Sequence, residues 1–158
     1  MKPNVVGYDI HLVLNARSRL LKCYDVRGHL RWSVMARGEG VAGPGWTMPY
    51  GDTPPGLYRC GECRPTLPED PASVHESYGP WFIYLLDEEP RARGGHTGIG
   101  IHGGRDTTPG GRPSHPGALA MTHGCIRVDN EDLRGRVVPA VQFTQRHGGV
   151  AWLTVAWE

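Results

Sequence analysis

Every apolar run in this chain is short, and most alternate. Val6, Tyr8, Ile10, Leu12 and Leu14 fall on one face of residues 6–14, and Asp9, His11 and Asn15 on the other. That period of two is the mark of a half-buried strand. Residues 20–26 read as a second strand, with Leu20, Tyr24 and Val26 on one face. Leu30, Trp32, Val34 and Ala36 make a third after the Arg27-Gly28 turn. Three short strands at this spacing predict an antiparallel meander. No stretch approaches 18 uncharged apolar residues, which rules out a helical membrane span.

Between the runs the sequence is punctuated by 23 glycines and 14 prolines. They predict loops over 38–55, 61–79 and 103–121. Leu57–Arg59 is a short strand after Pro-Pro-Gly. Trp81–Leu86 is a nearly continuous apolar run, read as a buried strand. Gly98–His102 is a strand whose glycines imply close approach of another backbone. Asp129 is a plausible helix N-cap, with Asp132 three residues on. That helix breaks or restarts at Pro139 and ends near Gly148-Gly149. Val150, Trp152 and Thr154 alternate with Ala151, Leu153 and Val155 in a last strand. There is no internal repeat. The expectation is a single domain over residues 1–158, mainly β, a sandwich or barrel with one helical segment near the C-terminus. A chain of 158 residues can bury roughly 68–70% of its unfolded surface, enough for a core without staples.

Charge narrows the function. Seventeen Lys and Arg against sixteen Asp and Glu give a net charge of +1, without the basic excess of a nucleic-acid binder. Asp9, His11 and Arg17 interrupt the first apolar residues, so no signal peptide is expected. Cys23, Cys60, Cys63 and Cys125 are scattered and only weakly suggest a disulfide framework. Cys60-Gly-Glu-Cys63 leaves three readings open: half a zinc site, a redox pair, or two unrelated thiols.

The chemistry concentrates in Thr122-His-Gly-Cys-Ile-Arg-Val128. Cys125 lies just before an expected helix N-terminus, whose partial positive charge lowers a thiol pKa. His123 is close by, and His102 ends a strand upstream. A cysteine with a neighbouring histidine is the usual arrangement of an activated thiolate nucleophile. Gly124 leaves backbone N–H groups around Cys125 open to a reacting carbonyl oxygen. The bland alternative is a buried, inert cysteine in a glycine-rich turn.

Ile99-Gly-Ile-His102-Gly followed by Thr122-His-Gly-Cys-Ile-Arg127 resembles the signature of the L,D-transpeptidase catalytic domain, the YkuD domain. The opening meander, Thr53-Pro-Pro-Gly-Leu-Tyr58, Tyr78-Gly-Pro-Trp-Phe82, the C-terminal helix and the Trp152–Trp157 strand resemble other parts of it. The likeness runs from about residue 6 to 157. It implies a YkuD-like β-sandwich or barrel and a two-step acyl transfer on peptidoglycan stem peptides. The bond to the terminal D-Ala of a tetrapeptide would be cut through a Cys125 thioester. The acyl group would pass to an amine, giving a 3→3 cross-link or a lipoprotein attachment, or to water, as in an L,D-carboxypeptidase. The resemblance gives Cys125 as nucleophile and His102 as general base. His123 would position the substrate or support the oxyanion site. Gly124, Thr122 and Gly103 would form the oxyanion and substrate-binding surroundings, and Arg127 would contact the donor peptide or brace the turn. It implies no cofactor and no metal, and a site of action in the periplasm or cell envelope.

Two departures stand out. Nineteen residues separate His102 from Thr122, an enlarged loop over the site. Gly104 stands where a small hydroxyl residue often follows His-Gly. The lack of a signal peptide suggests cytoplasmic origin or non-standard export. It raises two variants: a delivered cell-wall toxin with an immunity protein as partner, and a cytoplasmic wall-recycling carboxypeptidase. Trp46, Tyr50 and His115 are further candidates for substrate contact, whereas Arg105 and Asp106 read as a solvated loop pair. Two readings compete: a zinc enzyme using His102, His115, His123 and Cys125, and a catalytically dead peptidoglycan-binding module.

Overall fold

A computed structural model describes residues 3–45, 50–88, 98–104 and 119–158. Its strands are β1 (Ile10–Asn15), β2 (Leu20–Tyr24), β3 (Leu30–Arg37), β4 (Gly56–Pro65), β5 (Trp81–Asp87), β6 (Gly100–His102), β7 (Ile126–Val128) and β8 (Ala151–Ala156). They close into one barrel in the order β1-β2-β3-β7-β6-β5-β4-β8. The expected meander β1-β2-β3 is antiparallel as read. Two joins are parallel: β1 with β8 and β6 with β7.

Pairing decides which face is buried. Leu12 lies opposite Cys23 and Leu14 opposite Leu21, and all four point into the core. The buried face of β2 is therefore Leu21 and Cys23, not Leu20, Tyr24 and Val26. β1 starts at Ile10 rather than at residue 6, and Val6 and Tyr8 are exposed. Asp9 ends the alternation because its buried carboxylate accepts from Val6 N–H (3.1 Å), Val150 N–H (2.7 Å) and Trp152 Nε1–H (3.4 Å). This clasp ties the incoming segment to the start of β8.

Three further differences have local causes. β4 runs ten residues, through Cys60 and Cys63, where a loop was expected. A bulge there sets Cys60 opposite Leu85 and Cys63 opposite Ile83. The side-chain amide of Gln145 donates to the carbonyls of Cys60 (3.2 Å) and Gly61 (2.7 Å) at that bulge. Residues 61–79 also contain α1 (Ala72–Tyr78), which buries none of its residues and so shows no apolar stripe in the sequence. β5 is half-buried rather than buried: Ile83 and Leu85 face inward, Tyr84 and Leu86 outward. A barrel wall has only one dry side.

The C-terminal helical segment is present. α2 (Asn130–Asp132) is capped by Asp129, whose carboxylate accepts from Glu131 N–H at 3.0 Å. A π turn (Leu133–Val137) leads into α3 (Val138–Arg146), with Pro139 in its first turn. Proline has no N–H, and its ring crowds the carbonyl four residues back. The wider π turn makes room for that ring. α3 then lies against β1, β4 and β8.

Candidate active site

The parallel join of β6 and β7 brings the two halves of the motif together. Ile101 pairs with Ile126 and His102 with Arg127. One step back, Cys125 comes beside Gly100, whose N–H donates to Cys125 Sγ at 3.4 Å. The pleat puts residues 100 and 102 on one face of β6. A side chain at Gly100 would overlap the Phe82 ring. Cys125, His102, His123, Thr122 and Arg127 line one cleft of about 440 Å³, with Tyr50 and α1 residues Glu76 and Tyr78. A second hollow, about 320 Å³, reaches Cys125 from the side of Phe82 and Tyr84.

His102 is held on three sides. Phe82 stacks on its ring at 5.7 Å and 12°, and Tyr78 meets it edge-on at 5.1 Å. Its Nδ1 lies 2.7 Å from the Gly103 carbonyl oxygen. A carbonyl only accepts, so Nδ1 carries the proton and Nε2 keeps a free lone pair. Burial pushes the His102 pKa down to about 4, opposed by the Gly103 hydrogen bond and reinforced by the Arg127 charge. Burial also raises the Cys125 thiol, against the pull of the Gly100 N–H and of Arg127. Burial thus works against charge on both groups.

Cys125 is not at a helix N-terminus, since β7 intervenes and helix begins only at Asn130. The fields that favour its thiolate come from Gly100 and Arg127 instead. Thr122 shapes the turn: its hydroxyl donates to the Cys125 carbonyl (2.6 Å) and accepts from Gly124 N–H (3.2 Å). The Gly124 N–H is therefore engaged, whereas the Cys125 N–H has no hydrogen-bond partner among the described residues. Gly124 itself sits at φ 108°. Thr122 is fixed in turn by backbone bonds to Glu39 (3.3 Å) and Val41 (2.8 Å). His123 is exposed, with its ring 4.8 Å from Tyr50.

Arg127 is buried and its guanidinium fills the space a side chain on Gly104 would need. Gly104 is the position where a small hydroxyl residue often follows His-Gly. Thr53, in the Thr-Pro-Pro-Gly stretch, is a site residue that sequence reasoning missed. Its hydroxyl is fully buried and donates to the Gly124 carbonyl at 2.7 Å. Asn130, Tyr78 and Glu76 were missed as well.

The remaining thiols stand apart. Cys60 is buried in the core with Cys63 packed against it, and all four cysteines are free. Burial raises the Cys60 thiol strongly and the Cys63 thiol to about 11, which disfavours the thiolate that metal binding or exchange needs. Among the described residues no three His, Cys, Asp or Glu converge as a metal site requires. Trp46, Arg105, Asp106 and His115 lie outside the described residues.

The sequence model of YkuD, the L,D-transpeptidase catalytic domain, matches residues 9–135. This chain belongs to that family. Among solved structures it is similar to L,D-transpeptidase 3 from Mycobacterium tuberculosis, at 13% identity and a TM-score of 0.53, over 93% of this chain and 60% of that one. The same enzyme in complex with a faropenem-derived adduct gives 14% identity and a TM-score of 0.51, over 94% and 60%. The chain thus spans about three fifths of the length of these structures, and the likeness is one of fold. No curated protein matches.

Proposed function

We propose that this domain transfers acyl groups of peptidoglycan stem peptides through a Cys125 thioester. The observation that carries the reading is the fixed His102 tautomer in the cleft it shares with Cys125. His102 Nε2 takes the thiol proton as Sγ attacks the carbonyl before the terminal D-Ala. The Cys125 N–H donates to the oxyanion, a contribution of about 10²–10³ in rate for comparable donors. The C–N bond breaks, and His102 returns the proton to the departing D-Ala amine. In the second half an acceptor amine or water attacks the thioester and gives its proton to His102, and the thiol is regenerated. The two hollows meeting at Cys125 favour transfer to a second peptide over hydrolysis. His123 and Arg127, lining the larger cleft, bind the donor peptide. The substrate places the action in the cell envelope.

Mass spectrometry of tetrapeptide muropeptides incubated with the wild type and with Cys125→Ala tests this. Wild-type-only appearance of 3→3 dimers supports cross-linking, and wild-type-only loss of D-Ala without dimers makes the domain a carboxypeptidase. Identical products from both proteins would sink the thioester.

A further inference from the structure

Three glycines, Gly79, Gly103 and Gly104, converge on one side chain that neither the motif nor the cleft includes. Asn130, on the first turn of α2, is buried. Its Oδ1 accepts from Gly104 N–H at 2.9 Å, and its Nδ2 donates to the Gly104 carbonyl at 2.8 Å. The amide thus pairs with Gly104 as a neighbouring strand would, and carries the β6 ladder past His102. A Cβ on Gly79 or on Gly103 would overlap Asn130 Oδ1. On the other side, Gly103 N–H donates to the Tyr78 carbonyl at 2.8 Å. The peptide whose carbonyl accepts from His102 Nδ1–H is therefore held by Asn130 at its own N–H, and Tyr78 holds the N–H of the peptide before it.

We propose that Asn130 is a positioning residue for the reaction: it aims the Gly103 carbonyl at His102 Nδ1 and so fixes the tautomer that leaves Nε2 free for the Cys125 thiol. Only an amide can both donate to and accept from one backbone residue in this way. A carboxylate of the same size lacks the donor, and a leucine of similar shape lacks both. The proposal rests on the catalytic reading of His102 and Cys125, but its test does not need the wall substrate.

The test is ¹⁵N NMR of the imidazoles together with the rate of Cys125 alkylation by iodoacetamide. The proteins are the wild type, Asn130→Leu and Asn130→Asp. The wild type is expected to show His102 protonated at Nδ1 alone; protonation at Nε2 would overturn the proposal outright. Asn130→Leu is expected to show mixed tautomers and alkylation slower by about 10–100-fold, the range seen when the outer partners of metal-bound histidines are removed. An unchanged tautomer and rate in that variant would overturn it. Should Asn130→Leu not fold, Asn130→Asp, which keeps the acceptor for Gly104 N–H but sets a carboxylate against the Gly104 carbonyl, is expected to show the same changes to a smaller degree, and an unchanged tautomer and rate there would overturn the proposal. Loss of stem-peptide turnover in the wild type, with these signatures intact, would count against the proposed substrate and leave the role of Asn130 standing.

Discussion

At the residue scale, the site depends on burying a histidine without charging it. His102 is 3% exposed and its pKa is pushed down to about 4. In the unfolded chain the group returns to about 6.5. Between those values the unfolded state binds the extra proton, so stability rises with pH. This contribution is complete above pH 6.5 and is lost as pH falls through 4. It amounts to about 3 kcal/mol at 1.36 kcal/mol per unit. Denaturant titrations from pH 7 to 4 are expected to show the wild type losing that much more than His102→Gln. Equal slopes would mean that His102 is accessible to protons in the native state. If His102 is the base, as proposed above, its burial keeps it neutral into mildly acidic conditions, and turnover is expected to hold down to that range.

At the element scale, the Asp9 clasp joins the segment before β1 to the start of β8. Three N–H groups converge on one buried carboxylate. Hydrogen bonds to a charged acceptor are each stronger than neutral ones, and their donors are left stranded when it goes. Asp9→Ala is expected to cost about 2–3 kcal/mol, and Asp9→Asn less, since one acceptor oxygen survives. Thermal melts of the two variants check the order, at about 2–4 °C per kcal/mol for a chain near this size. Asp9 also shows where reading by period stops. The alternation over 6–14 was legible, and it located β1. It could not show that a carboxylate on the outer face turns inward to cap the strand. α1 was invisible for the opposite reason: it buries nothing, so Ala72–Tyr78 carries no stripe. Cys125 and His102 were legible as two short motifs in the sequence, and the parallel β6–β7 join brings those motifs side by side. Thr53 and Asn130 were not, because each reaches the site through the barrel rather than along the chain.

At the scale of the whole molecule, closure depends on the last strand. β8 lies between β1 and β4, parallel to one and antiparallel to the other. The family match ends at residue 135, before β8 begins. A fragment cut at that boundary would leave β1 and β4 as open edges, which invite pairing with other chains. Leu153 is fully buried at the centre of β8. Leu153→Ala is expected to destabilise by about 2–5 kcal/mol, measured by urea unfolding. A loss under 1 kcal/mol would mean the barrel holds without that seam.

The parallel pairing of the first and last strands also sets which way each end of the chain leaves. Ile10 lies beside Ala151, and Asn15 beside Ala156, so entry and exit are separated by the length of the wall, ~17 Å at 3.3 Å per residue. Trp157 then bonds to the Thr53 carbonyl at 2.8 Å, and Thr53 in turn holds the Gly124 carbonyl. A tether, tag or neighbouring domain attached through the leading residues would hang from the end remote from the thiol. One attached at the trailing end would emerge beside the turn that carries it, and compete there with any large polymer seeking the same entrance.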